Sequence, residues 1–124
     1  MTEKQPRRVL IVDDDRSLLD ALRRSLTDAG FDIVAHNSFE DARHAIRSSI
    51  FDIVLTDVRL GTFNGLQLAI LARQQQPKVR IIVFSGFDDP VLRKEAGVIG
   101  AEYLVKPVSG SQLAAILRQS PRTA

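Results

Sequence analysis

The chain has 124 residues, 44% hydrophobic and 26% charged, with 17 basic against 15 acidic side chains and no cysteine. A chain of this length forms one domain with a core of its own, and without cysteine there is no disulfide framework, no thiol chemistry and no thiolate metal site. A surplus of two positive charges, with Arg7-Arg8 and Arg23-Arg24 as the only basic doublets, is too thin for a nucleic-acid surface, and no apolar run approaches a membrane span.

Residues 1–6 are polar, lack the apolar stretch of a signal peptide, and are expected to be flexible, as are 121–124; the core runs from about 8 to 119 and the expected location is the cytoplasm. The apolar run Val9–Val12 predicts a first strand over Arg8–Val12. Leu18, Leu19, Leu22, Leu26 and Ala29 recur at helical spacing, so a first helix covers Arg16–Ala29, with Asp15 as its cap and Gly30 just past its end. A short strand is expected over Asp32–His36. A second helix follows over Phe39–Ser48, with Ser38 capping it and Ala42, Ala45 and Ile46 facing inward.

The third strand, Asp52–Thr56, is almost continuously apolar and so belongs in the middle of a sheet covered on both faces. Gly61–Gly65 reads as a loop, and a third helix over Leu66–Gln75 buries Leu68, Leu71 and Ala72. A fourth strand covers Val79–Phe84. Asp89 as cap and Pro90 at the first helical position open a short fourth helix carrying Val91, Leu92 and Ala96, with Gly97 and Gly100 crowding its far end. A fifth strand, Ala101–Val105, leads to a fifth helix that begins near Ser109 or Ser111 and buries Leu113, Ile116 and Leu117. Strands alternating with helices predict an α/β fold, a doubly wound five-stranded parallel sheet with five flanking helices.

In such a sheet, functional groups collect outside the carboxyl ends of the strands. Four strand ends here carry chemistry: Asp13-Asp14-Asp15, then Asp57, then Ser85-Gly86, then Lys106-Pro107. Carboxylates at a strand-to-helix junction also serve as caps, and each of these residues alone could be an ordinary turn residue. Together they suit phosphoryl chemistry. Clustered acids repel one another and call for a hard divalent cation, and Mg²⁺ takes oxygen ligands. Asp57 could be a ligand, a nucleophile that forms an acyl phosphate, or both. Lys106 could pair with Asp57 and then with a transferred phosphoryl oxygen, and the Ser85 hydroxyl could donate to another.

His36 and His44 have no third partner that would make a metal site; Phe31, Phe39, Phe51 and Phe63 read as core or loop anchors; and neither common glycine-rich nucleotide motif is present.

At these residues the chain resembles the receiver domain of bacterial two-component response regulators, over essentially its whole length and in the manner of a single-domain chemotaxis regulator. Val12-Asp13-Asp14, Asp57, Ser85-Gly86, Tyr103 and Lys106-Pro107 fall on the family's pattern in order and spacing. The resemblance implies a flavodoxin-like sheet of strand order 2-1-3-4-5 and a Mg²⁺-dependent transfer to Asp57 from a phosphohistidine on a sensor histidine kinase or histidine phosphotransfer protein. It implies metal ligation by Asp14, Asp57 and the backbone carbonyl of Arg59, with Asp13 acting mainly through bound water, and a cis peptide between Lys106 and Pro107. It further implies that Ser85 and Tyr103 form a switch, Tyr103 turning inward on phosphorylation, which changes how the face of helix four, strand five and helix five receives a downstream protein.

The chain departs from the family at Gly61, where a proline is usual, at Phe87, where a small or polar residue is usual, and in a stretch from Ser85 to Tyr103 that is about one residue short. Arg59 and Phe87, each two residues past a site residue, are expected to border the site mouth and slow loss of the phosphoryl group. Three other readings compete: the receiver part of a longer DNA-binding regulator, a degenerate receiver acting as a scaffold, and a Mg²⁺-dependent hydrolase of small phosphate esters. The ending just past helix five favours a free-standing receiver, the complete acid, hydroxyl and lysine set counts against the scaffold, and short loops count against the hydrolase.

Overall fold

The computed structural model describes residues 6–119 and 121; most of the two ends expected to be flexible lies outside the described residues. Five strands form one parallel sheet: β1 (Arg8–Val12), β2 (Asp32–His36), β3 (Ile53–Asp57), β6 (Arg80–Ser85) and β7 (Glu102–Val105), in the order β2-β1-β3-β6-β7. This is the expected 2-1-3-4-5 arrangement once a small hairpin, β4 (Arg59–Leu60) with β5 (Phe63–Asn64), is numbered in chain order. The helices are α1 (Arg16–Asp28), α2 (Phe39–Ser48), α3 (Leu66–Gln75), α4 (Pro90–Val98) and α5 (Gly110–Arg118).

The period of two along a strand sorts the apolar residues into two cores. Leu10, Val12, Val54, Ile81 and Val83 face the side covered by α2, α3 and α4, where Ala42, Ile46, Leu68, Ala72 and Ala96 meet them. Val9, Ile11, Ile53, Leu55, Ile82 and Phe84 face the side covered by α1 and α5, where Leu19, Leu22, Leu26, Leu113 and Leu117 pack. All five residues of β3 are buried, as befits the central strand.

The caps follow the sequence. Asp15 accepts from Leu18 N, Ser38 from Asp41 N, Asp89 from Val91 and Leu92 N, and Ser109 forms a reciprocal capping box with Gln112. Gly30, at φ +100°, follows the end of α1. The structure corrects several boundaries. β3 and β6 run one residue further than Thr56 and Phe84, because Asp57 still pairs with Phe84 and Ser85 with Val105. Asp52, Val79 and Ala101 fall outside the strands, and α1 stops at Asp28 with Ala29 as its cap. Gly61–Gly65 is not a plain loop, since Arg59 pairs with Asn64 and Leu60 with Phe63. Leu71 and Ile116 pack only partly buried. Val91 was expected among the apolar residues of helix four, but it points outward and is 65% exposed, leaving Ala96 as the one fully buried residue of α4.

Two arginines tie helix ends to the sheet. Arg73 on α3 donates to the carbonyls of Pro77, Val79, Ile99 and Gly100, joining α3 to the entry of β6 and the exit of α4. Arg80 makes a bidentate, nearly buried pair with Glu102 and reaches the Ile116, Leu117 and Gln119 carbonyls at the end of α5.

Candidate functional site

The strand order reverses between β1 and β3, which places a crevice at their carboxyl ends. Asp13 and Asp14 leave β1 there, Asp57 ends β3, Ser85 ends β6 and Lys106 follows β7. Carboxylate oxygens of Asp13, Asp14 and Asp57 all lie within 4.8 Å of one another, with Asp13 and Asp57 buried and Asp14 exposed at the opening. Asp15 is not part of the group; its carboxylate is the α1 cap.

Lys106 spans two of the acids. Its Nζ donates to Asp13 Oδ2 at 2.9 Å and to Asp57 Oδ2 at 3.2 Å, and lies over the Phe84 ring at 4.6 Å. The pairing with Asp57 was expected and the closer one with Asp13 was not. Asp13 is fully buried, and its other oxygen accepts from Asp15 N at 2.9 Å, so direct protein contacts hold it on both oxygens. Asp57 Oδ1 accepts from Arg59 N at 3.4 Å, and Asp14 Oδ2 from Gly61 N at 3.3 Å. The Lys106–Pro107 peptide is cis.

The electrostatics follow from this crowding. Burial, then the negative charge of Asp13, raises the Asp57 carboxyl above the ordinary carboxylate value, and the charge and hydrogen bond of Lys106 only partly oppose it. Burial alone would lower Lys106, but the hydrogen bond and charge of Asp13, followed by those of Asp57, raise it. Three carboxylates against one ammonium leave two negative charges unbalanced. An all-oxygen donor set of that charge, with one member open to solvent, fits a hard divalent cation such as Mg²⁺.

Ser85 is buried, and its Oγ accepts from Phe87 N at 3.2 Å, so the hydroxyl proton can be given elsewhere. Tyr103 was expected to turn inward on phosphorylation. Here it is already inward, 9% exposed, with its hydroxyl donating to the Phe87 carbonyl at 2.7 Å and the Arg93 guanidinium over its ring at 4.8 Å. Arg59 lies over the Phe87 ring at 5.6 Å, beside the cleft that Ser85, Asp88 and Asp89 also line.

Gly65 was read only as a loop glycine. A Cβ at this residue would collide with the Asp57 carbonyl oxygen, so the start of α3 is packed directly on the backbone of the central acid. Its φ of −61° is one any residue adopts, so the demand is for space alone and no local sequence signal announces it.

Comparison with known proteins agrees with the geometry. Residues 9–118 match the response regulator receiver domain. The chain is 37% identical over 109 residues to the alginate biosynthesis transcriptional regulatory protein AlgB of Pseudomonas putida, covering 86% of this chain and 24% of that protein. It is 29% identical over 117 residues to the transcriptional regulatory protein FixJ of Bradyrhizobium diazoefficiens, covering 94% of this chain and 57% of that one. It thus spans about a quarter of AlgB and little more than half of FixJ. Among solved structures, a CheY-like receiver domain protein from Methanospirillum hungatei superposes with a TM-score of 0.87 at 25% identity, covering 91% of each chain. A response regulator receiver protein from Sinorhizobium medicae gives 0.82 at 30% identity, covering 92% of this chain and 93% of that one.

Proposed function

The chain belongs to the response regulator receiver domain family, and from that premise we propose that it is a phosphorylation-dependent switch in which Asp57 takes a phosphoryl group from a phosphohistidine on a sensor kinase or histidine phosphotransfer protein. The observation that carries this is Asp57 itself, buried at the end of the central strand with two further carboxylates within 4.8 Å and the Lys106 ammonium 3.2 Å away, bridging it to Asp13.

An Asp57 oxygen attacks phosphorus, the O–P bond forms, the N–P bond to the donor imidazole breaks, and the ring nitrogen keeps the electron pair and takes up a proton. Asp13, Asp14 and Asp57, with the Arg59 carbonyl, would hold Mg²⁺, which supplies charge neutralisation to an incoming phosphoryl group. Lys106 exchanges its contact with Asp57 for one with a phosphoryl oxygen and keeps Asp13. Ser85 turns its hydroxyl to a second oxygen. That movement alters the Ser85–Phe87 contact, and through Phe87 the seat of Tyr103, so that α4, β7 and α5 offer a different face to a downstream protein. No described helix is long and apolar enough to cross a membrane; the reading places the protein in the cytoplasm with its kinase.

Intact mass after incubation with acetyl phosphate and Mg²⁺ tests it. One phosphoryl group is expected, dependent on the metal and absent in Asp57→Asn. Equal labelling of Asp57→Asn would overturn the assignment.

A further inference from the structure

The β4–β5 hairpin stands between Asp57 and α3, and two residues per strand are too few to hold it in place. It is held from outside. Leu60 is buried beneath it, and Phe63, its cross-strand partner, stacks on Phe39 with ring centroids 4.5 Å apart and planes at 15°. Phe39 is a firm platform, the first residue of a helix capped by Ser38 and anchored by buried Ala42 and Ile46. At the hairpin tip Gly61, in the left-handed region at φ +61°, turns its N–H to Asp14 Oδ2.

The three acids differ in how they are held. Asp13 is fixed by Lys106 and Asp15 N, and Asp57 by Lys106 and Arg59 N. Asp14 is exposed, and the hydrogen bond to its side chain comes from the hairpin. An exposed bond of 3.3 Å contributes little by itself and cannot hold the hairpin. The aromatic pair is the stronger contact.

We propose that the stack of Phe39 on Phe63 is a latch that positions the Asp14 carboxylate, through the Gly61 N–H, for the cation. Phe39 and Phe63 are therefore positioning residues, reaching the site from α2 and β5 without touching it. The proposal rests on the reading of the acids as a Mg²⁺ site.

The test is titration calorimetry with Mg²⁺, paired with amide exchange at Gly61, on the wild type, Phe39→Ala, Phe63→Ala, the double variant, Phe63→Tyr, and Leu113→Ala as a control in the opposite core. Each single alanine variant should raise the Mg²⁺ Kd about two- to tenfold and speed exchange at Gly61. The double variant should do no more than either single one. Phe63→Tyr, which keeps the ring, should bind as the wild type does, and so should Leu113→Ala despite its lower Tm. Unchanged affinity in the single alanine variants, equal weakening in Leu113→Ala, or weakening in Phe63→Tyr as large as in Phe63→Ala overturns the latch. A wild type that binds no Mg²⁺ overturns the cation reading and the latch with it. Unaltered Gly61 exchange in Phe63→Ala overturns the latch alone.

Discussion

Tyr103 donates its hydroxyl proton to the backbone carbonyl of Phe87 at 2.7 Å, while the Phe87 N–H donates to Ser85 Oγ at 3.2 Å. One residue therefore reports on both halves of the proposed switch, and its side chain, under the Arg59 guanidinium, borders the site mouth. Water reaching a phosphorylated Asp57 from this side would cross that border. Phe87→Ala and Arg59→Ala should each shorten the lifetime of the phosphorylated protein, by about two- to fivefold if the shield is worth the usual cation–π attraction. Decay of the phosphorylated species by intact mass checks it; unchanged decay in both variants rejects the shield.

Tyr103→Phe removes the hydroxyl and leaves the ring in place. It should lower stability by about 1 kcal/mol and loosen the segment 86–89, seen as faster amide exchange there with unchanged exchange in β3.

Asp57 carries the clearest pH signature. Its pKa is raised by folding, so it favours the folded state below the ordinary carboxylate value and that contribution is lost as pH rises through the raised value. At neutral pH, with no divalent cation present, ionised Asp57 costs stability. Asp57→Asn should therefore raise Tm by a few degrees in chelator, at about 4 °C per kcal/mol. Added Mg²⁺ should raise Tm of the wild type and do much less for the variant. Acidification should weaken Mg²⁺ binding from a higher pH than an ordinary carboxylate would require, because the proton competes for the same oxygen.

Gly65→Ala drives a methyl carbon into the Asp57 carbonyl. Either α3 or the Asp57 backbone must shift. Phosphorylation by acetyl phosphate should fall by more than the loss of stability accounts for, whereas Gly86→Ala, with no atom within 4 Å of the added carbon, should be tolerated.

α4 is weakly built, with one fully buried residue, an exposed Val91 and Gly97 near its end. Its exit depends on Arg73, which holds the Ile99 and Gly100 carbonyls. Amides of α4 should exchange faster than those of β3, and Arg73→Met should speed those of 97–101 further by removing the donor to those two carbonyls. Exchange as slow as β3 would reject the weak helix.

What the sequence disclosed was what local pattern and strand-end chemistry can carry. β1, β2, α2 and α3 stand where periodicity put them, and the convergence of Asp13, Asp14, Asp57, Ser85 and Lys106 followed from parallel strands ending on one side. The misses are contacts between segments distant in sequence. Lys106 prefers Asp13, 93 residues away. Gly65 is a glycine because of Asp57's carbonyl, and Phe63 faces Phe39, 24 residues earlier, over a hairpin that has no alternating pattern to announce it. Strand ends moved by one residue because pairing partners decide where a ladder stops.

Lys106 sits on both Asp13 and Asp57 rather than on Asp57 alone. A substitution of Asp57 thus leaves the half-buried ammonium paired with Asp13. Asp13 is held differently: it is fully buried, and besides Lys106 it accepts from the N–H of Asp15, the cap of α1. The two acids therefore differ in what each is tied to: Asp13 joins the lysine to the cap of a helix, and Asp57 joins it to the end of the central strand.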